Sequence, residues 1–247
     1  MDVLAKPLTA WKADLFAALR ETADHVQTKQ RISRAVQELG FDHFTYGLWM
    51  PLPVSKPAFH SVSNTPEDWQ YRYRKHDFAA TDPVVKHAWS SLAPLVWDLA
   101  AFESAPQLSA CARAHGLLAG WTQASLGPNS RRACLTLFRG TAPPRVAEVV
   151  EKASDFEWLL QMAELFLAEH VASAHWIAAR PHLTAREVET LRWTADGKTS
   201  FEIASILGLS TNTVNFHLRN AMAKMGAVNK ASAVAKALVY GLLASRQ

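Results

Sequence analysis

The stretch Thr199-Ser200-Phe201-Glu202-Ile203-Ala204-Ser205-Ile206-Leu207-Gly208-Leu209-Ser210-Thr211-Asn212-Thr213-Val214-Asn215-Phe216-His217-Leu218-Arg219-Asn220 decides the fold of the C-terminal part of this chain. Its first half has the length and apolar content of a helix of about two turns. Gly208-Leu209-Ser210 makes a tight turn, and Thr211 or Ser210 caps a longer helix that runs through Met225. In that second helix Val214, Leu218, Ala221 and Met225 fall at i, i+4, i+7 and i+11, which is one buried stripe. Ile203, Ala204 and Leu207 are placed to pack against Val214 and Leu218, and the small Ala204 side chain lets the helices approach closely. A short helix, a turn containing Gly and a second helix make a helix-turn-helix.

The second helix presents Asn212, Asn215, Phe216, Arg219 and Asn220 outward. Asn can pair bidentately with adenine and Arg with guanine, so these are base-reading chemistries. Lys198, Thr199, Ser210, Thr211, Thr213, His217 and Lys224 flank them and suit phosphate contacts. Charge is distributed to match. Residues 1–175 hold 17 Lys+Arg and 18 Asp+Glu, whereas residues 176–247 hold 9 and 4, a net of +5. A basic solvated face would give the same counts, so charge alone leaves double-stranded DNA and plain solvation equally open.

Working outward, Thr184 and Glu187 form a capping box at the head of a further helix, which Gly197 ends. The last helix is expected from Lys230 to Leu243. Toward the N-terminus, Pro181 disfavours helix at Arg180. The expected domains are therefore 1–173 and 182–247, joined by a linker at 174–181.

Residues 1–173 read as an α/β sandwich with an antiparallel central sheet, beside the all-α helix-turn-helix domain. Residues 8–38 are helical in pattern with a break, and Gly40 ends them. Phe41–Leu52 and Ala58–Ser63 read as strands. Thr65 is expected to cap a helix with Pro66 at its first position. That helix carries Trp69 and Tyr73. Leu108–His115 is a helix stopped by Gly116. Gly120–Leu126 and Ala133–Arg139 alternate as strands of a hairpin around the turn-rich segment 127–132, and Val146–Val171 is a long amphipathic helix.

The composition, 49% hydrophobic and 19% charged with no repeat, excludes collagen-like and disordered chains. Two cysteines, Cys111 and Cys134, give no disulfide framework and no C-x-x-C, which fits a reducing compartment. No secretory signal and no apolar run of membrane-spanning length is visible. The expectation is a cytoplasmic protein without membrane attachment, metal or cofactor. G-x-S-x-G, H-E-x-x-H and Gly-rich phosphate loops are absent, which argues against an enzyme.

The run Leu183-Thr184-x-Arg186-Glu187-x-Glu189-x-Leu191-x-Trp193-x-Ala195-x-Gly197-Lys198-Thr199-x-x-Glu202-Ile203-Ala204, followed by Ser210-x-x-Thr213-Val214-x-x-His217, closely resembles the DNA-binding domain of LuxR-type regulators. The same module occurs on phosphorylated response regulators, but the first 60 residues show neither their paired acids nor their βαβ order. The segment Trp69-x-x-x-Tyr73, Asp82-Pro83, Trp97 and Gly116-x-x-x-Gly120 instead resembles the signal-binding domain of quorum-sensing LuxR-type proteins. That resemblance implies an N-acyl homoserine lactone ligand. Trp69 would donate its indole N–H to the lactone carbonyl, and Tyr73 its hydroxyl to the acyl carbonyl. Asp82 would accept the amide N–H, Trp97 would pack on the lactone ring, and Thr136 would assist at the amide end. It further implies a homodimer on a near-palindromic DNA site, paired through the last helix, with RNA polymerase as a candidate partner.

Bare chemistry agrees with these roles. Trp69 and Tyr73, at i and i+4, share one helical face, and each joins an apolar body to one donor. Alone, such a pair is commonly core and Asp-Pro is commonly a turn; it is their joint order that points to a site. Without ligand, the polar groups are expected to face a hydrated or collapsed cavity unsatisfied, at about 1–3 kcal/mol each. Thr45, Gly47 and Trp49 share one face of their strand, as do Cys134, Thr136 and Phe138. Thr45, Trp49 and Val84 complete the candidate lining, and a Trp49 ring in the acyl channel would shorten it toward a short or medium chain. The competing readings are an orphan regulator that answers another small molecule or none, and an antagonist acting by heterodimerisation.

Overall fold

The computed structural model describes residues 10–22, 24–50, 52–53, 55, 57–127, 131–173 and 181–243. The chain divides into two compact units, the first drawn from residues up to Ser173 and the second from Ala174 onward together with the short segments 51–58 and 128–131. Of the expected linker 174–181, all but Pro181 lies outside the described residues, as do the extreme N-terminus and the tip of the 127–132 turn.

The first unit is built on one five-stranded sheet. Helices α1 (Ala10–Arg20) and α2 (His25–Glu38) lead into strand β1 (His43–Met50) and β2 (Ala58–Ser63). Helix α3 (Glu67–Lys75), a 3₁₀ turn (Phe78–Ala80) and α4 (Pro83–Ser90) precede β3 (Leu95–Asp98). A second 3₁₀ turn (Leu99–Phe102) and α5 (Pro106–Ala114) follow, then β4 (Ala119–Leu126), β5 (Arg132–Arg139) and the long α6 (Val146–Ser173). The strand order is β2-β1-β5-β4-β3, and the β1–β5, β5–β4 and β4–β3 pairs are antiparallel.

Alternation sorts the side chains to two faces. Phe44, Tyr46 and Leu48 of β1, Leu135 and Leu137 of β5 and Trp121 of β4 are buried on one face, where Phe41 and Trp121 meet Phe156 of α6. Tyr46 donates its hydroxyl to Glu164 Oε2 of the same helix at 2.5 Å. The other face carries Thr45, Gly47 and Trp49, then Cys134, Thr136 and Phe138, then Gly120 and Thr122. Beyond it α3, α4, α5 and the 3₁₀ turns hold a second core of Trp69, Phe78, Val84, Trp97, Phe102, Leu108 and Leu117. The sheet is thus buried on both faces, and the second core surrounds the site described below.

The α/β sandwich and its antiparallel sheet match the expectation, with local differences. Thr65 does not cap α3. The helix begins one residue later, after Pro66, and the Thr65 hydroxyl instead meets Ser63 Oγ at 2.8 Å. Helix α4 and strand β3, unread in the sequence, occupy the segment between Asp82 and Asp98.

The second unit comprises α7 (Ala185–Ala195), α8 (Ser200–Leu207), α9 (Thr211–Lys224) and α10 (Lys230–Val239). The Thr184–Glu187 capping box is present, and Thr199–Glu202 forms a second one at the head of α8. Gly208 ends α8 in the left-handed conformation at φ 65°, which glycine adopts without steric cost. Ser210 caps α9 by accepting the Thr213 N–H. Val214, Leu218, Ala221 and Met225 are all buried, packed with Leu191, Ile203, Ala204, Ala233 and Ala237. The last helix stops at Val239, four residues short of the expected Leu243, because Gly241 (φ 65°) turns the chain after Tyr240.

Candidate ligand cavity and nucleic-acid interface

The cavity lies between the sheet face of Thr45, Cys134, Thr136 and Phe138 and the layer of α3, α4 and the second 3₁₀ turn. Its space is about 730 Å³ including its opening to solvent. Seven of the eight sequence-predicted ligand residues line it: Thr45, Trp69, Tyr73, Asp82, Val84, Trp97 and Thr136. Trp49 does not. Its ring packs on Phe59 (centroids 4.8 Å) and Trp89 (5.4 Å), and Phe59 is the residue that reaches the cavity. Phe59 can do so because Gly47 stands under it; a Cβ there would come within 2.2 Å of the Phe59 ring. Ser63, Thr65, Gln70, Phe102 and Phe138 also line the space and were missed from sequence. Only Phe138 carried a signal, its strand alternation with Thr136.

Asp82 is buried, with 7% of its surface exposed, and its position follows from local sequence. It is the N-cap of α4, with Pro83 at the first helical position. The Val84 and Val85 N–H groups donate to Oδ1 at 2.8 and 3.4 Å, and the Tyr73 hydroxyl donates to Oδ2 at 2.7 Å. The carboxylate is therefore held without any ligand, and the expectation of an unsatisfied acid is corrected: the helix terminus supplies the donors. Burial pushes the Asp82 carboxyl above the usual aspartate value. The Tyr73 hydroxyl, the two N–H groups and the Lys86 charge pull the other way without cancelling it. Burial, the Asp82 charge and the hydrogen bond to it hold the Tyr73 phenol well above its ordinary value, so it remains a donor. A carboxylate has about four lone-pair sites. Three donors leave one for a guest.

The Tyr73 proton is committed to Asp82, which changes the expected assignment of Tyr73 to an acyl carbonyl. Another donor faces the cavity. The Trp97 indole N–H donates to Thr122 Oγ1 (3.0 Å), and the Thr122 hydroxyl donates to Thr136 Oγ1 (3.0 Å). These hydroxyls stand side by side because Thr122 and Thr136 are register partners, as are Thr136 and Thr45. Thr122 is fully buried, so its proton has to find an acceptor within the protein. Among the described residues no acceptor takes the Thr136 proton. The same holds for the indole N–H of Trp69, whose ring leans on Tyr73 at 5.5 Å. Trp97 is wedged edge-on against Phe102 and Phe138 (5.5 Å each) over Gly120, where a Cβ would strike the indole at 2.5 Å. The cavity thus presents the Trp69 and Thr136 donors and the Asp82 acceptor on aromatic walls, with Ser61, Gln70 and Arg74 also on its lining. Cys134, buried in the same wall, has its thiol pushed up to about 12 by burial and is not a nucleophile at neutral pH.

On the second unit, Asn212, Phe216 and Arg219 are exposed on α9, and Thr211, Thr213, Asn215, His217 and Asn220 are partly so. Lys198 is exposed beside Thr199 at the head of α8. Several expected phosphate contacts are engaged within the domain. Thr199 is tied to Glu202, and the Ser210 and Thr213 hydroxyls meet at 2.8 Å. Lys224 donates to Glu187 Oε2 at 2.8 Å. Burial alone would raise the Glu187 carboxyl; the Lys224 ammonium and the Thr184 N–H and hydroxyl outweigh it and hold it low. Lys224 therefore has a structural role linking α7 to α9.

Comparison with known proteins agrees with both halves of this geometry. Residues 24–167 match the family described as Autoinducer binding domain, and residues 181–237 match Bacterial regulatory proteins, luxR family. The chain is 36% identical over 238 residues to the transcriptional activator protein AnoR of Acinetobacter nosocomialis, covering 96% of this chain and 100% of that one. It is 33% identical over 241 residues to the regulatory protein SdiA of Escherichia coli (96% and 99%). A crystal structure of Escherichia coli SdiA superimposes with a TM-score of 0.83 at 31% identity over 95% of this chain and 98% of that one. SdiA in complex with octanoyl-rac-glycerol gives 0.81 at 31% identity over the whole of both chains. These relatives are transcriptional regulators, not enzymes. The chain belongs to the LuxR family of quorum-sensing transcriptional regulators, with an autoinducer-binding domain followed by a helix-turn-helix DNA-binding domain.

Proposed function

We propose that the autoinducer is an N-acyl homoserine lactone, and that the observation carrying this is the buried Asp82 carboxylate with one acceptor site left over. An acyl homoserine lactone offers one amide N–H and two carbonyls. The amide donates to Asp82. The Trp69 indole N–H serves the lactone carbonyl, and the Thr136 hydroxyl serves the acyl carbonyl, while Tyr73 braces Asp82. Trp97 and Val84 flank the head group, Thr45 lies along the sheet floor, and Phe59, backed by Trp49, ends the acyl channel. No cofactor or metal takes part.

Binding only the folded state stabilises it, by about 2.7 kcal/mol at a hundredfold excess of ligand over its dissociation constant. The liganded chain acts in the cytoplasm as a homodimer. It places two α9 helices in successive major grooves of a near-palindromic site, where it meets RNA polymerase. The test is thermal melting with hexanoyl, octanoyl and dodecanoyl homoserine lactones, together with mass spectrometry of whatever co-purifies. A rise in melting temperature with one of them is expected; no response to any contradicts the assignment. One observation favours a second reading. A relative of 31% identity is described in complex with octanoyl-rac-glycerol, whose hydroxyls can also donate to a carboxylate, so 1-octanoylglycerol belongs in the same panel.

A further inference from the structure

Asn215 was expected to read a base with both ends of its carboxamide. The structure engages one end. The Lys230 ammonium at the head of α10 donates to Ser200 Oγ at 3.0 Å, and Ser200 Oγ lies 2.8 Å from Asn215 Oδ1. An ammonium can only donate. The Ser200 hydroxyl therefore accepts from Lys230 and passes its own proton on. Among the described residues the Asn215 amide oxygen is its only assigned acceptor. Asn215 is partly exposed on α9, between exposed Asn212 and Arg219, and no described residue accepts from its Nδ2.

We infer that the Lys230–Ser200–Asn215 chain fixes the Asn215 carboxamide with its oxygen turned into the domain and its amino group turned toward DNA, making Ser200 a positioning residue for sequence recognition. An amide amino group carries two donors and no acceptor, so turned outward it pairs only with acceptors. In the major groove guanine N7 and O6, adenine N7 and thymine O4 are acceptors, whereas the exocyclic amine of cytosine is a donor. The base facing Asn215 is then any base except cytosine. The bidentate pairing that singles out adenine needs the oxygen as well and is withheld.

The experiment is selection from a pool of random duplexes by the full-length chain and its variants, with melting temperature as the folding control. Wild type is expected to enrich a motif with one position per bound domain depleted in cytosine, with guanine, the base that offers two adjacent acceptors, the most frequent there. Ser200→Ala frees the carboxamide to turn. Adenine at that position should then rise by at least about fivefold, the low end of what a bidentate pair discriminates, while Ser200→Thr keeps the wild-type motif. Asn215→Asp replaces the outward amine with an oxygen and does not depend on Ser200→Ala folding; it should move the preference from guanine to the bases whose exocyclic amines donate, cytosine and adenine. A motif unchanged in both Ser200→Ala and Asn215→Asp overturns the inference while leaving DNA binding intact. A pool from which wild type enriches nothing overturns the DNA-reading assignment as well.

Discussion

At the scale of single residues, Asp82 performs two tasks that substitution can separate. Its side chain caps α4 and offers an acceptor to the cavity. Asn is as good an N-cap as Asp, whereas Ala at such a position costs about 0.5–2 kcal/mol. Asp82→Asn should therefore melt close to wild type yet lose ligand response, and Asp82→Ala should lose both, which a melting series with and without ligand will show. The acid also sets a pH dependence. Its folded value is raised, so the empty chain loses some stability as pH climbs from the ordinary aspartate range, about 4, through that raised value. An amide N–H favours the ionised form. Ligand affinity should then fall as pH drops through the raised Asp82 value and level off above it, with proton release on binding measurable by calorimetry in two buffers. Both effects should vanish in Asp82→Asn.

At the scale of elements, part of the site was legible in the sequence and part was not. Trp69 and Tyr73 were readable because helical spacing alone puts i and i+4 together. The role of Asp82 was half readable. Asp-Pro-Val-Val carries the signature of an N-cap followed by a first-position proline, but a bare Asp-Pro reads as a turn, and α4 is only eight residues long. Phe59 was invisible because its place depends on a hole in the neighbouring strand, Gly47, and not on any pattern of its own. The Thr122–Thr136 contact needs the β4–β5 register, and the Ser200–Asn215 contact spans 15 positions between two helices at an angle no single-helix pattern supplies.

If Phe59 ends the acyl channel, Phe59→Ala should move the melting response from shorter to longer acyl homoserine lactones. An unchanged ranking would place the channel end elsewhere. Lys224 and Lys198 separate structure from phosphate contact in the same way. Lys224→Met strands the buried Glu187 carboxylate. Since the lysine is partly exposed and solvent screens it, the loss should be about 1–3 kcal/mol of domain stability, with the salt dependence of DNA binding unaltered. Lys198→Met should leave the melt alone and lower the salt slope by about one.

For the whole molecule, the division of labour is written in where polar groups are buried. The second unit closes its own: capping boxes at Thr184 and Thr199, the Glu187–Lys224 pair and a small apolar core need no guest. The first unit leaves the Trp69 and Thr136 donors and an Asp82 acceptor site facing a cavity inside its second core. Such a domain gains stability by mass action from whatever complements those groups; in the proposed function, folding of the sensor is the quantity that the signal controls.

The most direct test of that claim changes one atom of the ligand. Melting of the full-length chain is compared with N-octanoyl homoserine lactone and with α-octanoyloxy-γ-butyrolactone, in which oxygen replaces the amide N–H and the rest is kept. The account predicts a clear rise in melting temperature for the amide and little or none for the ester, because the ester brings an acceptor against the Asp82 carboxylate. Equal rises for the two would show that the carboxylate does not recognise the guest through a donated hydrogen bond.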